Sequence, residues 1–118
     1  MKTIRHTATA DSDLQSILEW TLDAFGRPAM ERYSQLIGQA LLDLAEDPER
    51  PGSQHAADAL FIYHLRHSRT RGSNPHVQRP RHFILFRTTR THLEILRYLH
   101  DAMDLEQHFP EDPSVELE

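Results

Sequence analysis

The chain has 118 residues, 38% hydrophobic and 26% charged, with no cysteine and a net charge of -5. That size supports one core, the composition is not that of a wholly disordered chain, and the missing cysteine excludes disulfides and thiolate chemistry. No apolar run approaches the roughly 20 residues that span a bilayer, and the first six residues lack an apolar secretory core, so a cytoplasmic protein is expected.

Residues 2–7 alternate weakly and suit a short N-terminal strand. From Ala10 the apolar residues Leu14, Ile17, Leu18, Leu22 and Phe25 recur at helical spacing, with Thr7 or Thr9 as N-cap and Gly26 as the stop. Pro28 suits the first turn of a second helix, which places Met30, Tyr33, Leu36, Ile37, Ala40, Leu41 and Leu44 on one side and ends before Asp47-Pro48. The link at residues 25–28 is short, so the two helices should form an antiparallel hairpin.

After a turn-rich stretch at 48–53, residues 60–67 carry the aromatic and aliphatic content of a strand. Residues 82–88 and 92–99 supply two more, joined through Thr89-Arg90-Thr91. The connection at 68–80 is longer than hairpin loops usually are, which leaves open a functional loop or a solvated excursion. Residues 101–109 read as a short acidic amphipathic helix, and 111–118 as a disordered acidic tail. The expected fold is therefore α+β over residues 1–110. A helical hairpin, preceded by a strand, packs on a small, mainly antiparallel four-stranded sheet.

The net charge hides an asymmetry. Residues 1–50 sum to -4, residues 51–100 to +6, and residues 101–118 to -7. A surface built from the middle segment can hold a positive field despite the acidic total. Every cation but Lys2 is arginine, the side chain suited to bidentate contact with phosphate or carboxylate.

The nine histidines raise a metal site, but His64-x-x-His67 falls on an expected strand, where those positions face opposite ways, and nothing completes Asp104-x-x-x-His108. No metal or cofactor is expected. No Gly-x-Ser-x-Gly and no phosphate-binding glycine loop is present, and no helix is arginine-rich on one face as a DNA-recognition helix would be.

The order of elements, the opening Ala10-x-x-Asp13-Leu14-x-x-Ile17 of the first helix, Tyr63-His64-Leu65-Arg66-His67 in the second strand, Pro80-Arg81-His82-Phe83 before the third, and the ending Ile95-Leu96-Arg97-Tyr98-Leu99-His100-Asp101-x-Met103-Asp104 resemble the ParE branch of the RelE/ParE toxin superfamily. The resemblance runs from about residue 4 to 109. It implies the toxin half of a bacterial type II toxin-antitoxin pair, inhibiting DNA gyrase as ParE-like members do or cutting messenger RNA on the ribosome as RelE-like members do. The implied partner is a cognate antitoxin, a ribbon-helix-helix or similar DNA-binding repressor, held in a toxin-antitoxin hetero-oligomer. The third alternative is a non-toxic interaction module.

A nuclease of this kind would draw on Arg66, Arg81, Arg87 and Arg97 for the phosphate and on His100 and His108 for proton transfer. A lysine-rich patch is missing, and the acidic tail would repel RNA, so the gyrase reading is preferred and no residue is assigned a catalytic role. Arg66, Arg81 and Arg87 are then candidates for target contact, with solvated edge guards as the alternative. Strict alternation puts Arg97 on the face of Leu93, Ile95 and Leu99, where it either pairs with a buried carboxylate such as Asp104 or points into the concave face. His100 could simply cap the strand-to-helix junction. Trp20, Phe25 and Tyr33 are candidates for an antitoxin-docking groove along the hairpin, or else ordinary core.

Overall fold

The computed structural model describes residues 1–72 and 76–102. Its elements run β1 (Thr3–His6), α1 (Ala8–Phe25), α2 (Arg27–Glu46), β2 (Ser53–Ala57), β3 (Leu60–His64), a 3-10 turn at Leu65–His67, β4 (His82–Thr88) and β5 (His92–His100). They form one five-stranded sheet in the order β1-β5-β4-β3-β2. β1 runs parallel to β5 and every other pair is antiparallel.

Local chemistry accounts for the hairpin. Thr7 is fully buried as the N-cap of α1: its hydroxyl accepts from the Ala10 N–H at 3.0 Å and donates to the Leu96 carbonyl at 2.9 Å. One side chain thus starts the helix and ties it to β5. Gly26, at φ +89°, both closes α1 and precedes α2, a backbone conformation that a side chain would strain. α2 buries Tyr33, Leu36, Ile37, Ala40, Leu44 and Ala45, and these pack with Ile84, Phe86, Leu93 and Ile95 of the sheet. α1 is far less covered. Leu14 and Ile17 are half-buried against the same core, while Trp20, Leu22 and Phe25 stay exposed. On the opposite face of the sheet Leu60, Leu85, Leu96 and Leu99 form a second buried cluster.

The structure departs from the expected sheet in three ways. A fifth strand, β2, pairs with β3 through a register shift between His55 and Ala57. The strand expected over 60–67 ends at His64, because Leu65–His67 turns into a 3-10 helix in which the His64 ring accepts the Arg66 N–H at 3.0 Å. β5 is bulged: Phe86 lies opposite Ile95 but Leu85 lies opposite Arg97, so Arg97 is out of step with Ile95 and the assumed strict alternation fails. Ile95 belongs to the helix-side cluster and Leu99 to the other. Asp101 and Ala102 form a turn after β5. The rest of the expected C-terminal helix, with Asp104, His108 and the tail at 111–118, lies outside the described residues.

Candidate groove between the helical hairpin and the strand ends

Five of the six arginine and histidine candidates fall among the described residues, and they fall in different places. Arg87 donates from Nε to Glu94 Oε2 at 2.6 Å, and Glu94 is buried, so this guanidinium is held across β4 and β5. Arg97 donates from Nε and Nη2 to the two carboxylate oxygens of Asp13 at 2.8 and 3.1 Å. The same carboxylate accepts the Tyr98 N–H at 3.0 Å, so α1 satisfies a stretch of β5 beyond the end of its pairing with β1. The expectation that Arg97 pairs with a carboxylate therefore holds, with Asp13 taking the guanidinium. Arg66 is exposed in the 3-10 turn rather than on a strand.

Arg81 and His100 come together with a cluster that sequence spacing did not reveal. Asp101 sits between them. Its carboxylate accepts from Arg81 Nε at 3.1 Å and from His64 Nε2 at 3.0 Å, and its backbone N–H donates to the Arg81 carbonyl at 2.8 Å. Because His64 Nδ1 already accepts the Arg66 N–H, the ring's proton is on Nε2, and His64 reaches Asp101 as a neutral donor. Partial burial pulls the Asp101 carboxyl upward, but the hydrogen bonds from His64 and Arg81 outweigh it and hold the group below its ordinary value. His100 accepts the Ala102 N–H at 3.0 Å, the capping role expected as its alternative.

His82 stacks edge-on against His100 with ring centroids 5.3 Å apart and shares a 2.6 Å hydrogen bond with the Tyr33 hydroxyl. Burial first, and the neighbouring His100 second, push His82 down to about 4. Burial raises Tyr33 to about 12. Tyr33 therefore donates to the neutral His82 Nδ1 while its oxygen accepts the Arg81 N–H at 3.1 Å. The pH consequence follows from the sign of the shift. An unfolded His82 binds a proton near pH 6.5 and the folded one only near 4, so stability is full above that window and declines as pH falls through it. After allowing for the ring's partial exposure, the loss is on the order of 1–2 kcal/mol. Denaturant melts at pH 7 and pH 4.5 should show this difference shrinking in His82→Gln, which keeps an acceptor for Tyr33 but cannot titrate.

These groups form one end of a groove of about 850 Å³ between α1, the start of α2, residues 76–79 and the strand ends at His82 and His100. Of the three expected docking aromatics, Trp20 and Phe25 line it exposed, 5.5 Å apart and edge to face, whereas Tyr33 is only 8% exposed and serves as its floor. Val77 packs on the core and His76 shares a 2.9 Å hydrogen bond with Thr70, so the described parts of the long connection include a wall of this groove. Among the described residues no cluster of three or more His, Asp or Glu is placed to hold a metal.

The family model of the ParE toxin of the type II toxin-antitoxin system parDE matches residues 4–105. The chain belongs to the ParE toxin family. Its fold also matches a solved chain described as the chromosomal ParDE toxin-antitoxin system from P. aeruginosa, at 16% identity and a TM-score of 0.64, covering 85% of this chain and 96% of that one. No curated protein matches the chain. In ParE-family terms the α+β architecture expected from periodicity is the observed one, and among the described residues no helix is long and apolar enough to cross a membrane.

Proposed function

We propose that this chain is a cytoplasmic toxin that inhibits DNA gyrase, and that a cognate antitoxin neutralises it by laying an amphipathic segment in the groove beside Trp20 and Phe25. The observation that carries the choice of target is the state of the arginines. A ribosome-dependent nuclease needs free cations at the scissile phosphate and a proton-transfer pair beside them. Of the arginines that the sequence offers for that role, Arg87 and Arg97 are each committed to a carboxylate and Arg81 is partly so, and the half-buried His82 is neutral with Nδ1 occupied by Tyr33. That arrangement favours a binding protein over an RNA-cleaving one. Arg66 and Arg81, both exposed, are the stronger candidates for target contact; Arg87 is half-buried against Glu94.

The docking half of the reading rests on the two exposed aromatics at the edge of a concave, largely apolar surface. The test uses the purified full-length chain in two assays, gyrase-catalysed supercoiling and cleavage of ribosome-bound message. Loss of supercoiling with intact message is expected, together with a DNA-damage response when the chain is expressed alone. Cleaved message with normal supercoiling would overturn the gyrase reading in favour of the nuclease.

A further inference from the structure

Between Ala59 and Leu93 the chain carries seven arginines and no Asp or Glu. Three of them, Arg66, Arg69 and Arg71, stand exposed on the stretch that follows β3, and the backbone under them is pinned from within. Leu65 is fully buried in the core and Ser68 is 8% exposed. Ser68 Oγ donates to Asp43 at 2.7 Å and accepts from the buried Tyr63 hydroxyl at 2.7 Å. Arg50 and Gln39 hold the same Asp43 carboxylate, each at 2.9 Å. Further along, Thr70 shares its 2.9 Å hydrogen bond with His76. Inward anchors at 65, 68 and 70 therefore interleave with outward arginines at 66, 69 and 71, which makes a fixed basic ridge. Arg81 extends it: Arg66 donates its N–H to His64, His64 donates to Asp101, and Asp101 also accepts from Arg81, whose side chain is 57% exposed. Arg66, Arg69 and Arg71 form no ion pair with any described residue. The ridge also lacks apolar anchors, since every exposed large hydrophobic side chain among the described residues lies at or before Leu42.

We propose that this ridge grips the phosphate backbone of duplex DNA, so that the chain engages the DNA on which gyrase works as well as the enzyme. This rests on the gyrase reading above and adds a second component of the target. A protein partner is held chiefly by aromatic and aliphatic anchors at the centre of its interface, and none projects here. A phosphate backbone is held by charge and hydrogen bonding, with no need of a helix shaped to read bases. The fork of a guanidinium matches two phosphate oxygens, and the pinned backbone removes part of the ordering cost of binding. The sixteen residues after Ala102 carry six acids and are the chain's own rival for the ridge. Spread over that length they make a sparser polyanion than a duplex, which has one charge per about 1.7 Å of its axis.

The full-length chain is titrated against a short fluorescein-labelled duplex of mixed sequence, and anisotropy follows binding as salt is raised. Contacts from four arginines predict that log K falls against log salt with a slope of about -3.6. The double variant Arg69→Gln/Arg71→Gln breaks no ion pair with the described fold and should melt as the parent does. Its slope should flatten by about two and its affinity at low salt should drop about tenfold or more. In the supercoiling assay it should need about tenfold more protein than the parent to inhibit. Inhibition by the double variant at the parent's concentration, with no duplex binding by either chain, would overturn the DNA contact and leave the gyrase reading standing. Duplex binding with the expected slope but normal supercoiling would keep the contact and overturn the gyrase reading. A preference for oligothymidine over the duplex would overturn the proposal in favour of a single-stranded ligand. A full-length variant with Glu111→Gln, Asp112→Asn, Glu116→Gln and Glu118→Gln tests the rival. Duplex binding by that variant and not by the parent would overturn the proposal and give the ridge to the chain's own C-terminal acids.

Discussion

Arg97→Ala should cost about 3 kcal/mol of folding stability, more than any exposed arginine on the sheet. Its guanidinium makes two hydrogen bonds to Asp13 from a position only 25% exposed, and the Asp13 side chain is itself 17% exposed. Truncation leaves that carboxylate half-buried and missing its cation, and a charge stripped of its partner is dearer than the pair was favourable. Asp13→Ala should cost a similar amount for a second reason, since the Tyr98 N–H loses its acceptor on a part of β5 that β1 does not reach. Asp13→Asn separates the two contributions: it can still accept from Tyr98 but no longer carries charge, so it should fall between Asp13→Ala and the parent. Denaturant melts of the two single variants and the double variant give the coupling energy. An Arg97→Ala chain that melts like the parent but has lost toxicity would place this residue on the functional surface instead.

Trp20→Ala and Phe25→Ala should have the opposite profile. Both side chains are more than 60% exposed, at 63% and 66%, so each truncation should move stability by less than about 1 kcal/mol, mostly through the lost contact between the two rings. Large aromatics that a partner covers on docking are typical energetic anchors, worth about 2–4 kcal/mol each when truncated. Binding of the cognate antitoxin should therefore weaken on the order of 30-fold or more, and the variants should remain toxic when antitoxin is co-expressed. Tyr33→Phe is the contrasting control. It removes the hydroxyl shared by His82 Nδ1 and the Arg81 N–H, so it should lower the melting temperature by leaving two part-buried groups unpaired. Calorimetry with the antitoxin and melting curves of all three variants separate anchors from floor. Trp20→Ala and Phe25→Ala chains that bind antitoxin as the parent does would remove the groove from the docking surface.

What the sequence determined by itself was local. Apolar spacing marked α1 and α2, a threonine at 7 or 9 and Gly26 marked the ends of α1, and aromatic and aliphatic runs marked β4 and β5, because each of these signals is local in the chain. The ordered motifs were enough to indicate the family. Tertiary structure decided the rest. Ser53–Ala57 has almost none of the residues that favour strands and becomes β2 only because β3 presents an edge for it to pair with. Which way Arg97 points depends on a bulge that changes the count along β5, and its partner Asp13 stands 84 residues away. The groove is the clearest case. Trp20, Arg32, Arg79 and His100 share no sequence pattern, and only the packing of the helical hairpin beside the ends of β4 and β5 brings them to one surface, as cross-chain burial rather than local spacing sets which residues meet.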